Sequence, residues 1–364
     1  MIYTKEQACE EIIRAGHRLV QEGLVSRTWG NISARISETA FLVTPSGRAY
    51  ETLAKEQLVE VDMERGKFTG TEKPSSEWGI HAECYRLHPD VGFVIHTHQP
   101  MASVAGLDPG EMEMQERYEG KIPEEELLLV GDVIQVAAYA LPSTKKLTAN
   151  VRVALEEHPE NRAVLMQHHG ALVMGKDAEE AFRFARYLEE GGKADFDMAV
   201  HRRLEEYYQD AEEKKQKDQD SFPREEIEEL MDQIKKRCRV FAVKLSQSPF
   251  VYLHSRAGGQ LDPWLDDLAQ IAGTKILCFE LQEKDQIIRE LRRKNAVFVK
   301  KIGAICTGKT EDDAQAVSEI LEKGCLAAFY GENYHRHSED LYPLDPKDAA
   351  LQRFVYRWKY SKRK

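Results

Sequence analysis

Nothing in this chain approaches the run of about 18 consecutive apolar residues that a membrane span requires. The first residues, Met1-Ile2-Tyr3-Thr4-Lys5-Glu6, contain no apolar core of the kind that drives secretion. Cysteine is scarce and scattered: Cys9, Cys84, Cys238, Cys278, Cys306 and Cys325 never fall at CxxC spacing. That excludes a dense disulfide framework and a thiolate zinc site, and it fits reduced thiols in a cytoplasm. Positive charge is in deficit, with 51 Lys and Arg against 62 Asp and Glu and a net charge of −11. A basic face for nucleic acid is excluded on that ground. The expectation is a cytoplasmic protein with neither a nucleic-acid nor a membrane partner. What remains is ordinary globular material, 42% hydrophobic and 31% charged. At 364 residues it exceeds one usual core, so two domains are expected.

Residues 5–23 carry Ala8, Ile12, Ile13, Ala15, Leu19 and Val20 at helical spacing, with Gly23 as a stop. Short apolar runs alternate with turns over 29–62, and a helix is expected over 76–88, before Pro89. Phe93-Val94-Ile95-His96-Thr97-His98 reads as a strand, as does Ala163-Val164-Leu165-Met166. A long helical pattern covers 177–208, and the charge-dense stretch 211–224 reads as a linker or solvated helix before Pro223 opens another helix. The domain expectation is therefore 1–210, a charged connection over 211–224, and 225–364.

An internal repeat links the two halves. Ala163-Val164-Leu165-Met166-Gln167-His168-His169-Gly170 aligns with Ala296-Val297-Phe298-Val299-Lys300-Lys301-Ile302-Gly303 at a constant offset of 133 residues (296 − 163). The register holds through Ala181/Ala314, Leu188/Leu321, Glu189/Glu322 and Phe196/Phe329 without a gap. This pattern reads as a second, shortened copy of one fold. Ile302 stands where the first copy has His169, so the second copy is expected to hold no metal.

His96 and His98 stand two apart on the strand, so both project from one face and could share a metal ion while Thr97 faces away. His168 and His169 are adjacent, and by the same alternation only one of them could join such a site. Imidazoles with a nearby carboxylate, Glu77, suit a borderline-soft divalent ion, zinc above all.

The motifs Gly30-Asn31-Ile32-Ser33, Thr44-Pro45-Ser46-Gly47, Pro74-Ser75-Ser76-Glu77-Trp78, Ile95-His96-Thr97-His98 and Gln167-His168-His169-Gly170 occur in this order. In them the chain resembles the class II aldolase/adducin family, and within it the fuculose-phosphate aldolase type, over roughly residues 5–200. The resemblance implies an α/β fold with a central, mainly antiparallel sheet flanked by helices, followed here by the smaller degenerate copy. It implies zinc, or another divalent metal, on His96, His98 and His169, with Glu77 as the proton carrier. It assigns His169 to the metal and leaves His168 a supporting role. Burial and neighbours are expected to draw the Glu77 carboxyl toward neutrality. His81, one turn along the same helix face, is expected to support the site without being a ligand.

Thr28, Asn31, Ser46, Gly47, Ser75 and Ser76 match the family's phosphate loops, and their hydroxyls and backbone N–H groups suit an anion without a lysine or arginine. Tyr118, in a segment longer than the family's, is the candidate to protonate the leaving oxygen. The implied activity is retro-aldol cleavage of a ketose 1-phosphate to dihydroxyacetone phosphate and an aldehyde, by a homo-oligomer. A sugar-phosphate 4-epimerase or a methylthioribulose-phosphate dehydratase would keep the metal and change the reaction. A non-catalytic adducin-like scaffold would use the same fold without the ligand set. Glu77 and the three histidines weigh for an aldolase.

Overall fold

The computed structural model describes residues 1–25, 29–114, 123, 127, 130–334 and 341–360. Thr28, Tyr118 and the tail residues His335 and His337 lie outside the described residues. The chain divides into two compact units, Met1–Phe196 and Asp197–Lys364. The division falls near the end of a helix and earlier than the boundary expected at residue 210, because the long helical pattern is two helices. Helix α5 (Ala178–Ala199) stops before His201, whose φ of 55° is left-handed, and a separate helix, α6 (Leu204–Asp218), follows. The charge-dense stretch is therefore largely helical. No helix among the described residues is long and apolar enough to cross a membrane.

In the first unit, α1 (Lys5–Gln21) opens on Thr4, whose side chain accepts from the Gln7 N–H while Gln7 Oε1 accepts from the Thr4 N–H. That reciprocal cap satisfies two helix-start donors. Gly23, at φ 69°, lies just past the helix end. The strands are β1 (Asn31–Arg35), β2 (Ala40–Val43), β3 (Val59–Asp62), β4 (Lys67–Thr69), β5 (Phe93–Thr97), β6 (Glu111–Glu113), β7 (Val133–Ala137), β8 (Ala163–Met166) and β9 (Gly170–Gly175). Among the described residues three more helices, α2 (Trp78–Leu87), α3 (Pro100–Ala105) and α4 (Lys145–Glu157), precede α5. The strands form one sheet in the order β4-β3-β2-β1-β5-β9-β8-β7-β6, in which only β7 and β8 pair in parallel. It is the mainly antiparallel sheet expected.

Both sheet faces are covered, and the period-2 pattern decides which side chain goes where. Phe93 and Ile95 of β5 join Ile12 and Leu19 of α1 and Phe184 and Leu188 of α5 in one core cluster. Val94 joins the opposite cluster with Ile80 of α2 and Val151 and Leu155 of α4. His96 follows Val94 in this alternation, so it points to the side that α2 covers.

The second unit contains α7 (Arg224–Cys238), β10 (Ala242–Ser246), α8 (Pro249–Ala257), α9 (Asp266–Ala272), β11 (Cys278–Phe279), α10 (Lys284–Leu291), β12 (Ala296–Val299), β13 (Gly303–Gly308), α11 (Glu311–Glu332) and α12 (Pro346–Val355). Its sheet runs β10-β13-β12-β11, with antiparallel, antiparallel and parallel pairings. The β5-β9-β8-β7 segment of the first sheet has the same order and the same senses. The repeat is thus structural as well as sequential. β8, β9 and α5 begin 133 residues before β12, β13 and α11 (296 − 163), and β5 begins 149 before β10 (242 − 93). Even the left-handed turn residue recurs, His168 and Lys301 both having φ 60°. Glu189 accepts from the Met101 and Ala102 N–H groups at the start of α3, and Glu322 does the same for Phe250 and Val251 at the start of α8. What the second sheet lacks, among the described residues, is any counterpart of β1–β4.

Candidate metal centre and active site

Three imidazoles converge where β5 ends and the β8–β9 hairpin turns. His96 is the fourth residue of β5, and His98 follows the strand one position on, its N–H donating to the Leu24 carbonyl at 3.0 Å. His169 is delivered differently from the strand alternation reasoned above. Neither it nor His168 lies in a strand. Residues 167–169 form the tight turn between β8 and β9, closed by the His169 N–H donating to Met166 O at 3.0 Å. The left-handed His168 throws consecutive side chains apart, and its ring meets Tyr139 edge-on at 5.5 Å.

His96 Nε2 lies 3.0 Å from His98 Nε2 and 3.1 Å from His169 Nε2, and all three residues are buried. Their ligand atoms fall within 4.8 Å of one another, a spacing that suits a metal ion. The tautomer of His96 is set from behind, since Nδ1–H donates to the Ala171 carbonyl at 2.9 Å. Its Nε2 therefore presents a lone pair to the cluster, as a metal ligand must. Lone pairs crowded in a buried pocket repel unless a cation or proton lies between them, so the donor set fits a divalent ion with an open side.

Glu77 stands on that side. It is the N-terminal cap position of α2, with Oε1 at 3.3 Å from His169 Nε2 and Oε2 at 3.5 Å from His96 Nε2. Burial opposes its charge, but His169 first, then His96 and His98, outweigh burial and hold the carboxyl well below the usual carboxylate range. This reverses the expectation that burial would draw Glu77 toward neutrality. The imidazole cluster sets the sign, and a divalent cation would reinforce it. Burial keeps His96 far below the ordinary histidine range, and hence neutral.

The candidate anion loops are adjacent. The Ser46 N–H donates to Lys73 O at 3.0 Å and the Ser75 N–H to Thr44 O at 2.9 Å, which ties 44–47 to 73–76. Gly47 takes φ 73° there, a turn that only glycine makes without strain. The Ser75 hydroxyl accepts from the Glu77 N–H at 3.3 Å, and Ser143 donates to the Ser76 hydroxyl at 2.8 Å. Ser143, itself at φ 65°, was not singled out by any sequence signal. Asn31, expected among the phosphate residues, has both ends of its amide engaged beside these loops. Its Nδ2 donates to Glu77 Oε2 at 3.1 Å, and its Oδ1 meets His81 Nε2. The amide meets the carboxylate because β1 pairs with β5 so that Asn31 stands opposite His96.

Residues 10–194 match the family model described as Class II Aldolase and Adducin N-terminal domain. A 5-methylthioribulose-1-phosphate/5-deoxyribulose-1-phosphate aldolase from Rhodospirillum rubrum is 32% identical over 182 residues, covering 49% of this chain and 76% of that protein. The solved structure of an L-fuculose 1-phosphate aldolase is 28% identical and covers 51% of this chain and 83% of its own, with a TM-score of 0.45. An L-fuculose-1-phosphate aldolase from Thermus thermophilus is 27% identical, covering 50% and 90% respectively, with a TM-score of 0.41.

Proposed function

Because this chain belongs to the class II aldolase and adducin N-terminal domain family, we propose that its first unit is a metal-dependent aldolase. It would cleave a ketose 1-phosphate to dihydroxyacetone phosphate and an aldehyde. The observation that carries this reading is the convergence of His96, His98 and His169 with Glu77 on their open side. The likeness to the relative from R. rubrum supports pentulose 1-phosphates that lack the terminal hydroxyl as substrates, cleaved to acetaldehyde or its methylthio derivative.

His96, His98 and His169 would hold the ion, zinc by ligand type. When bound, it supplies Lewis-acid polarisation of the substrate carbonyl and its neighbouring hydroxyl. The protein does the rest. Glu77, held ionised, would accept the proton of the C4 hydroxyl as the C3–C4 bond breaks to release the aldehyde, and return it to C3, the carbon beside the carbonyl. Its carboxylate lies beside two ligand rings, within reach of a substrate seated on the open side. Ser46, Gly47, Ser75 and Ser76 would receive the phosphate with hydroxyls and N–H groups at the start of α2. Self-association belongs to the same reading, and sedimentation of the full chain tests it.

The test is release of dihydroxyacetone phosphate from a panel of ketose 1-phosphates that includes 5-deoxyribulose 1-phosphate and fuculose 1-phosphate. It is run on wild type and Glu77→Gln, with and without chelator. Release that needs both the metal and Glu77 supports the proposal. No release from any sugar overturns it.

A further inference from the structure

Behind Glu77 lies a buried chain of hydrogen bonds that the proposed chemistry does not itself use. Glu77 Oε2 meets Asn31 Nδ2 at 3.1 Å, and Asn31 Oδ1 meets His81 Nε2. His81 Nδ1 meets Ser33 Oγ at 2.7 Å, and Ser33 Oγ meets Tyr85 Oη at 2.8 Å. Asn31, Ser33, His81 and Tyr85 are all buried. Asn31 and Ser33 stand two apart on β1, and His81 and Tyr85 four apart on α2, so each pair shares a face. The sheet and the helix interlock here through polar atoms.

The direction of every bond follows from its end. An ionised carboxylate only accepts, so the Asn31 amide presents NH2 to Glu77 and its oxygen to His81. His81 must then carry its proton on Nε2. Its Nδ1 is left as an acceptor, so the Ser33 hydroxyl donates to it and in turn accepts from the Tyr85 hydroxyl. One arrangement of protons satisfies all four residues. Burial holds His81 down at about 3, so the ring is neutral at physiological pH and can play both parts.

We propose that His81 is a positioning residue for Glu77: acting through Asn31 it pins Oε2 and leaves Oε1 as the oxygen that carries the proton. Asn31 can present its NH2 to Glu77 only while something donates to its oxygen. Without that donor the amide can turn over, placing oxygen against carboxylate. Both oxygens face ligand rings, Oε1 at 3.3 Å from His169 Nε2 and Oε2 at 3.5 Å from His96 Nε2, but only Oε2 is also held by Asn31. The kinetic consequence rests on the aldolase reading; the proton arrangement does not.

The experiment compares two amides of different reach in the full-length, zinc-loaded chain. His81→Gln carries its N–H close to where Nε2 stood and keeps the donor to Asn31. His81→Asn holds the same chemical group one methylene short. His81→Asn should lower kcat by about 10- to 100-fold with KM changed less than about twofold, while His81→Gln recovers most of the rate. Equal rates for the two variants, or equal losses, would overturn the proposal. Ring 15N NMR of uniformly labelled protein, with His81 assigned by its loss in His81→Gln, reads the arrangement without any substrate. A neutral ring protonated on Nε2 is expected, and protonation on Nδ1 would overturn the proposal. If the wild type cleaves no sugar phosphate, the aldolase reading has failed while the 15N spectrum still decides the relay.

Discussion

Gly170 and its counterpart Gly303 permit a matched perturbation. A methyl group added at Gly170 would meet Thr97 O at 2.3 Å, and one at Gly303 would meet Ser246 O at 2.2 Å. Carbon and carbonyl oxygen rest about 3.3–3.6 Å apart even in the close contacts of sheets. Either alanine therefore forces its hairpin to move by roughly 1 Å. Overpacking of that size destabilises by about 1–3 kcal/mol. Gly303→Ala should lie at the upper end, since Gly303 also has φ 133°. The consequences for metal differ. Gly170 follows His169, and the new methyl would also sit 3.4 Å from His96 Cε1. A shift of about 1 Å between ligands is large on the scale of site geometry, where it can reduce function about 100-fold. Zinc affinity, measured by competition with a chromophoric chelator, should fall at least about tenfold in Gly170→Ala and stay unchanged in Gly303→Ala. Urea denaturation run alongside gives the stability change of each. Wild-type zinc affinity in Gly170→Ala, at a stability loss like that of Gly303→Ala, would refute the claim that the hairpin sets the ligand spacing.

Glu77→Gln should retain its metal yet lose about 100- to 10,000-fold in kcat, measured as dihydroxyacetone phosphate release with zinc content checked by elemental analysis. His81 predicts a pH dependence. Its folded value of about 3 lies below the ordinary 6.5, so the unfolded chain takes up the proton first. Stability is fully present above pH 6.5 and falls as pH drops from there toward 3, by on the order of 4 kcal/mol for this one ring. The gap in urea stability between wild type and His81→Gln should shrink by that order over the same range, and an unchanged gap would contradict the burial argument. Glu322→Ala removes the acceptor for the Phe250 and Val251 N–H groups and the Ser248 hydroxyl. It should destabilise by about 2–4 kcal/mol in urea while zinc affinity stays the same.

Much of this was readable from the chain because simple periods carried it. The alternation of Phe93 to His98 is enough to put His96 and His98 on one face, and Ser-Ser-Glu before an apolar helix marks the start of α2. The unbroken register between 163–196 and 296–329 reported the second unit before any coordinates did. Other features depend on which strand lies beside which. Asn31 is turned to Glu77 by the β1–β5 pairing, and the motif Gly-Asn-Ile-Ser alone says nothing of that neighbour. His169 is presented by a left-handed residue in a three-residue turn, a conformation that no pattern of apolar residues announces. The helix break near His201 is hidden because helical spacing persists on both sides of it. The low carboxyl of Glu77 depends on His169, His96 and His98, which arrive from distant segments, and local sequence cannot display that gathering.

The absence of a β1 counterpart among the described residues of the second unit bears on engineering. Histidines written in at Leu245, Gln247 and Ile302, the positions in register with His96, His98 and His169, could rebuild a metal cage there. The carboxylate's support would still be missing, because it arrives on a strand that the smaller sheet, among the described residues, does not have. The same gap leaves β10 as the last strand of its sheet among the described residues, one side of its backbone without a neighbouring strand. Such a side is a template for stray pairing, and natural sheets guard it with brevity and charge. β10 is only five residues long and carries Lys244 at its centre. Replacing that lysine with valine would turn a guarded border into an adhesive one.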